Sequence, residues 1–344
     1  MPFPELLGSP SPLPSASLRV NSRLRERRVR RSWLIIPATK PDLIERSWTF
    51  GADVIVLDLE DMVHDSRKFE ARARIKDGIQ QARRGGAEVF VRCDLGLLYA
   101  DLDASVWRGL DGVVLPKITE VRQVLDADET LAQLEAVRGI AKAALAGEVA
   151  EADDPRTLES SLELHLSFEN AKGNLNVLAL LQASPRIRST SLGRADLVMD
   201  LRPEPSGDLH LLSYLMQRHI IAAGAAGVTP IGAWWQDTSR GFRASPEATE
   251  RAATLGRAAG FKGALCVDPE QVKPLNRGFT PSAGDLRQAQ DLVDAFARAE
   301  AAGRPCADVK GALIDRATAE AAQGVLDWAQ ACAARDRIKE GVRQ

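Results

Sequence analysis

The sequence predicts an α/β fold, a TIM (β/α)8 barrel with a C-terminal helical extension, and three observations carry that prediction. Eight short β-rich runs lie between residues 32 and 268, and most are separated by alanine- and arginine-rich stretches of helical character. Several of the runs are apolar almost throughout, as parallel strands covered on both faces require. No GxGxxG follows the first run, which counts against an open dinucleotide-binding sheet.

The eight runs, in order, are SWLIIP (32–37), DVIVLDLE (53–60), EVFVRC (88–93), GVVLPK (112–117), LELHLSFE (162–169), STSLGRAD (189–196), GVTPIGA (227–233) and GALCVD (263–268). ATERAATLGRAAG, before the last of them, is representative of the intervening helices. Residues 125–160 exceed a single βα connection and are read as an extra helix with an acidic surface loop, GEVAEADDP. Beyond Asp268 come PEQVKPLNRGFTPS and two further helical stretches ending near Arg337. Three regions follow: residues 1–30 as a disordered basic arm, 31–285 as the catalytic barrel, and 286–344 as a helical extension able to reach a neighbouring subunit.

Bulk properties exclude several classes. The chain has 344 residues, 45% apolar and 27% charged, with a net charge of −2, so nothing draws it to nucleic acid or an anionic membrane. No apolar run approaches the ~18 residues of a membrane span. Cys93, Cys266, Cys306 and Cys332 are scattered, without CxxC spacing, and are read as reduced, packed thiols of a cytoplasmic protein. The Ser/Pro tract at 8–17 cannot build a core. The arginines at 23, 25, 27, 28, 30 and 31 are read as a solvated lead-in to the first strand, and the absence of an apolar h-region argues against a secretory signal.

In a TIM barrel, chemistry gathers at the C-terminal ends of the strands. The residues there are Asp58, Glu60, Asp61, Arg92, Lys117, Glu169, Asp196 and Asp268. Glu169 and Asp196 end consecutive strands, so their carboxylates should be neighbours and should repel unless they share a cation. A Mg2+ ion held by one or two carboxylates, with its other positions left to water and substrate, resolves that repulsion. Arg92 would then balance an anionic substrate or a developing oxyanion. Each residue also has a plainer use. Asp58, Glu60 and Asp61 can cap the following helix, Lys117 can be a structural ion pair rather than an imine-forming lysine, and His165, inside an apolar strand, reads as a satisfied core residue.

RSWLIIPATKPDLIERSWTFGADVIVLDLEDMV resembles the opening of the citrate lyase beta subunit-like proteins of the HpcH/HpaI aldolase superfamily. VRCD, LDGVVLPKI, SFENAKG, LGRADL, GFKGALCVDPEQVKPLNRGFTPS and GALIDRATAEAAQGVLDWA follow that family's elements in order, from about Arg31 to Trp328. The resemblance implies a Mg2+-dependent carbon–carbon lyase on a hydroxyacyl-CoA thioester, of the malyl-CoA or citramalyl-CoA type, releasing a 2-oxo acid or glyoxylate. It implies Glu169 and Asp196 as metal ligands and Arg92 as a catalytic group, and the substrate-binding set is read as Arg92, Glu169, Lys117, Glu60 and Asp61. Asp315 matches an acid/base aspartate that some members supply from a neighbouring subunit, and Lys40 and Arg46 fall where coenzyme A phosphates are held. A homo-oligomer, a trimer or a dimer of trimers, is implied as well.

The chain departs from the family pattern at four places. Asp268 stands for the family histidine, Gly232 (before Trp234 and Trp235) for an aspartate near the coenzyme A pocket, Asn170 for a threonine, and Ala38 for a glycine. Those departures keep two alternatives open: a metal-dependent aldolase on free hydroxy acids, and a barrel that binds such ligands without turnover.

Overall fold

The computed structural model describes residues 28–140, 162–201, 210–235 and 244–343. These form two compact units, one of residues 29–282 with 328–343, and one of residues 283–327.

The larger unit is the barrel. Its strands are β1 (Ser32–Pro37), β2 (Val54–Asp58), β3 (Glu88–Arg92), β4 (Gly112–Leu115), β5 (Glu163–Phe168), β6 (Ile187–Leu192), β7 (Thr229–Ile231) and β8 (Ala264–Cys266). All pair in parallel, in the order β7-β6-β5-β4-β3-β2-β1-β8. The seam between β8 and β7 is bridged by backbone bonds from Lys262 N–H to Pro230 O (3.0 Å) and from Gly232 N–H to Gly263 O (2.6 Å). The expected α/β barrel is therefore present. Seven strands lie inside the expected runs, and the sixth begins two residues early and ends before the aspartate.

The helices of this unit are α1 (Pro41–Arg46), α2 (Lys68–Ala82), α3 (Leu98–Ser105), α4 (Val121–Arg138), α5 (Ala171–Leu175), α6 (Val177–Leu181), α7 (Arg194–Leu201), α8 (His210–Ala226), α9 (Pro246–Ala259) and α10 (Val272–Phe279). The 125–160 segment begins inside α4, the barrel's own fourth helix, which Gly139 ends in the left-handed conformation, and no extra helix appears there among the described residues. The acidic loop lies outside the described residues.

Strand residues alternate between two packed faces. Trp33, Ile35, Val54, Val56, Phe90, Val114 and Ile231 fill the barrel interior. Leu34, Ile36, Leu57, Val89, Val91, Val113, Leu115, Leu164 and Leu166 face outward, into the layer shared with the helices. This double burial explains why the strands read as apolar runs rather than alternating ones.

Two of the arginines read as a solvated lead-in are instead buried anchors. Arg30 pairs with Glu88 and with Glu163 (2.7 Å), its guanidinium over the rings of Trp33 and Phe90. Arg31 pairs with Asp53 (2.8 Å) and Asp336 (2.5 Å), and Lys339 reaches Asp53 at 2.5 Å. The end of α12 (Arg316–Arg343) is thereby tied to the foot of the barrel. A buried charge demands such partners, and the periodicity of a sequence does not reveal them. Residues 1–27 lie outside the described residues.

The smaller unit holds α11 (Ala283–Ala301), a hairpin of β9 (Ala307–Val309) and β10 (Ala312–Ile314), and the start of α12. Its core is Ala295, Phe296, Ala299, Ala307, Ile314 and Ala319. The hairpin was not expected, although Lys310 and Gly311 both take positive φ (55° and 83°), the signature of a tight hairpin turn. Among the described residues no helix is long and apolar enough to cross a membrane. The four cysteines are free, and three are buried.

Candidate active site

The turn after β2 supplies the first acidic groups. Asp58 ends the strand, fully buried, and accepts from the backbone N–H of Glu60 (3.1 Å) and Met62 (2.9 Å). Those bonds turn the chain so that Glu60 and Asp61 stand at the mouth. Lys68, from the first turn of α2, donates to the carbonyls of Leu59 (2.9 Å) and Glu60 (3.1 Å) and to Asp94 (2.8 Å), fastening the same turn from beneath. None of the three acidic residues offered as caps serves that way for the following helix, whose N-cap is Arg67, and Asp58 orders the turn after β2 instead.

Arg92 ends β3 and sits beside Asp58. Nε and Nη2 donate to the two Asp58 oxygens (2.5 and 2.9 Å), a bidentate fork, while Nη1 faces Glu60 at 3.3 Å. Burial works against its charge, but the hydrogen bonds and negative charge of Asp58 outweigh that and raise its pKa further. Lys117 follows β4 in a left-handed conformation (φ 54°), its carbonyl held by the Asn170 amide at 3.2 Å. Its ammonium lies 2.5 Å from Glu60 Oε1 and 2.7 Å from Asp61 Oδ1. Burial opposes that charge too, but Asp61 and Glu60 raise its pKa, so Lys117 is a cation engaged in ion pairs, the plainer of its two expected uses. Burial raises the Glu60 pKa. Asp61 is also penalised by burial, yet the Lys117 hydrogen bond holds its carboxyl below the usual range.

Glu169 directly follows β5 and is 5% exposed. Desolvation pushes its pKa up to about 8, against the pull of a Ser167 hydrogen bond and the Arg92 charge. Its Oε2 is buried without a hydrogen-bond partner. Gly193 makes room for it: a Cβ at that position would lie 2.1 Å from Glu169 Cγ. Asn170 caps α5 by accepting from Gly173 N–H at 2.7 Å. Gly173 is itself needed, because a Cβ there would meet the Ile118 carbonyl at 2.1 Å. Asp196 does not end a strand as expected. It lies in the first turn of α7, beyond Gly193, where a carboxylate is favoured by the helix N-terminus.

Even so, the expected neighbours meet. Oxygen atoms of Asp61, Glu169 and Asp196 all lie within 4.8 Å of one another. The donor set is all carboxylate, which suits a hard divalent cation. The buried, unpartnered oxygen of Glu169 is a further sign of fit, because such an atom costs free energy until something coordinates it.

A protein-family comparison matches residues 31–269 to HpcH/HpaI aldolase/citrate lyase. The chain belongs to this family. It is 28% identical over 322 residues to the citrate lyase subunit beta of Haemophilus influenzae, covering 92% of this chain and 99% of that protein. It is also 28% identical over 328 residues to an L-malyl-CoA/beta-methylmalyl-CoA lyase of Cereibacter sphaeroides, covering 88% and 95%. Both relatives are named as lyases, in line with the expected carbon–carbon lyase. Among solved structures, CitE from Mycobacterium tuberculosis in complex with magnesium, acetoacetate and coenzyme A aligns with a TM-score of 0.64 at 21% identity, over 87% of this chain and 97% of that one. That likeness shows a shared fold.

The mouth therefore unites Glu60, Asp61, Arg92, Lys117, Glu169 and Asp196. Lys40 and Arg46 are exposed at α1, and no hydrogen bond or ion pair among the described residues joins either to the acidic group. Asp315 lies in the smaller unit, where it caps α12 by accepting from the Thr318 N–H (2.8 Å) and hydroxyl (2.7 Å). Those bonds hold its carboxyl below the usual range. At Gly232 the departure from the family pattern has a physical counterpart, because a Cβ there would lie 2.8 Å from the Phe261 ring. Asp268 spends an oxygen on the N–H of Glu270 at 3.0 Å. The anchoring roles of Asp58 and Lys68 escaped the sequence, since each depends on a turn that only the fold creates.

Proposed function

We propose that this protein is a Mg2+-dependent carbon–carbon lyase acting on a hydroxyacyl-CoA thioester of the malyl-CoA or citramalyl-CoA type, releasing a 2-oxo acid or glyoxylate. The observation that carries the reading is the group of Asp61, Glu169 and Asp196 oxygens within 4.8 Å, beside a guanidinium fixed by Asp58. Glu169 and Asp196 are the proposed metal ligands, with Asp61 as a third. When bound, the ion supplies Lewis-acid chemistry and a template for the 2-oxo acid portion.

The chain's own residues do the rest. Cleavage takes a proton from the substrate hydroxyl, and the electron pair of the breaking bond moves onto the thioester oxygen. Arg92, already oriented by Asp58, turns its remaining N–H donors to that charge or to the substrate carboxylate. Glu60 and Lys117 hold the wall of the mouth through their ion pair. Asp315, ionised in its cap and contributed by a second subunit of a homo-oligomer, is the proposed base that takes the hydroxyl proton and returns it to the enolate carbon, completing the acyl-CoA. Lys40 and Arg46 are proposed to meet the coenzyme A phosphates.

A second reading, a metal-dependent aldolase on free hydroxy acids, draws on Gly232 and Asp268, where one position is filled by the Phe261 ring and the other turned to its own backbone. Release of glyoxylate or pyruvate from a panel of hydroxyacyl-CoA thioesters and the matching free acids, with and without Mg2+, tests the two. Turnover of thioesters alone supports the first reading, turnover of free acids the second, and inactivity on both counts against each.

A further inference from the structure

Beneath Glu169 the barrel interior changes character. β5 and β6 line it with His165, Ser167, Ser189 and Ser191, each at most 5% exposed, whereas β1 to β4 contribute mainly apolar side chains. Alternation along the strands puts residues 165, 167 and 169 on one inward face, opposite 189 and 191. His165 lies against the Trp33 ring, at 4.7 Å between centroids.

The polar atoms are joined end to end. Ser189 Oγ is 2.9 Å from His165 Nδ1, and His165 Nε2 is 2.9 Å from Ser191 Oγ. Ser191 donates to Ser167 at 3.1 Å, and Ser167, two residues along the same inward face, stands beside Glu169 and lowers its carboxyl pKa. The directions follow from the end of the chain. When Glu169 is ionised, as a bound cation requires, it only accepts, and a hydroxyl has one proton to give. Ser167 spends its proton on Glu169 and Ser191 spends its own on Ser167, so Ser191 must accept the Nε2–H of His165. Nδ1 is then bare and accepts from Ser189. Burial keeps the imidazole neutral, its pKa lowered to about 3, as this arrangement requires.

We propose that Ser167, backed by Ser191, His165 and Ser189, is a positioning residue that holds Glu169 in one orientation, with Oε2 turned toward the divalent ion. This rests on the reading of Glu169 as a metal ligand. A buried polar group without a partner is costly, so the four are tolerated only because each satisfies the next. Successive donors pointing the same way strengthen one another. One Glu169 oxygen is thereby engaged, and the other, free of hydrogen bonds, is left for the ion.

The test is Mn2+ affinity by electron paramagnetic resonance on the full chain, with thermal unfolding recorded for every variant. Ser167→Ala should weaken Mn2+ binding about tenfold, the low end of the effect of removing a residue that orients a ligand. Ser167→Thr, which keeps the hydroxyl, should restore most of it, and Ser191→Ala should weaken it severalfold. Nitrogen-15 spectra should show His165 neutral and protonated at Nε2. Unchanged Mn2+ affinity in Ser167→Ala, alongside its loss in Glu169→Gln, would overturn the positioning role and leave the metal reading intact. Equal weakening by Ser167→Thr would also overturn it, by pointing to packing. If Glu169→Gln binds Mn2+ like the parent protein, the metal reading fails and the positioning chain fails with it. Should Ser167→Ala not fold, Ser191→Ala decides: weaker binding supports the role and unchanged binding contradicts it.

Discussion

Lys117 Nζ lies 2.7 Å from Asp61 Oδ1, a carboxylate whose oxygens also come within 4.8 Å of Glu169 and Asp196. One side chain thus belongs both to an ion pair and to the acidic group proposed to take the metal. The ammonium and a divalent cation therefore compete for it. Lys117 is 42% exposed, so solvent screens the pair and its worth is at most about 1 kcal/mol, a factor of about five in affinity. Lys117→Met should accordingly tighten Mg2+ binding by no more than about fivefold and lower the melting temperature of the metal-free protein. Titration calorimetry and thermal unfolding check both, and weaker Mg2+ binding would show that Lys117 supports the metal site instead.

The Glu169 carboxyl gives the pH dependence its sign. Its pKa rises from an ordinary 4.5 to about 8 on folding, so the metal-free protein holds a proton there at neutral pH. That proton contributes stability fully below pH 4.5, and the contribution is lost as pH rises through about 8. A cation must displace the proton. Apparent Mg2+ affinity should therefore rise by up to about tenfold per pH unit below 8 and level off above it. In Glu169→Gln the affinity should collapse, and the metal-free variant should lose less stability than the parent between pH 6 and 9. Calorimetric titration across that range reads the first effect, and a flat affinity profile in the parent protein would contradict it.

Gly193→Ala tests the space made for that carboxylate. The new methyl would stand 2.1 Å from Glu169 Cγ, so the side chain or α7 must shift. Overpacking of this kind costs about 1–3 kcal/mol. The expected outcome is a lower melting temperature together with a loss of Mg2+ affinity, measured on the same sample. Retention of both would mean that Glu169 has room to move.

For Arg92 the geometry predicts that charge alone is insufficient. Lysine cannot reproduce the fork that grips Asp58 while offering further N–H groups to substrate. Arg92→Lys should lower kcat/KM by about 10²-fold, the order seen when one preorganised donor to a developing oxyanion is lost, with Mg2+ affinity little changed. Steady-state kinetics on the reactive thioester would check it, and parent-like rates would remove Arg92 from the mechanism.

Much of the fold was legible because parallel staves buried on both faces read as apolar runs. β6 was the exception. Ser189, Thr190 and Ser191 are fully or almost fully buried, and the two serines serve His165, a pairing across strands that no local pattern announces. Its offset boundary moved Asp196 from a strand end into the first turn of α7 without removing it from the acidic group. Glu169 stood out as a carboxylate closing an apolar run. Asp58 and Lys68 did not stand out as anchors, since their partners are backbone groups of a turn and, for Asp58, Arg92 on the next strand. The buried arginines at 30 and 31 were hidden for the same reason, because Glu88, Glu163, Asp53 and Asp336 are distant in sequence.

The most direct measurement is an anomalous difference map from crystals soaked with Mn2+ and a 2-oxo acid. A single peak within bonding distance of Glu169 and Asp196 oxygens, with the acid's carboxylate or carbonyl oxygens completing the shell toward Arg92, is the expected result. A map with no peak there, or with the ion bound elsewhere and the acid ordered without it, would contradict the account.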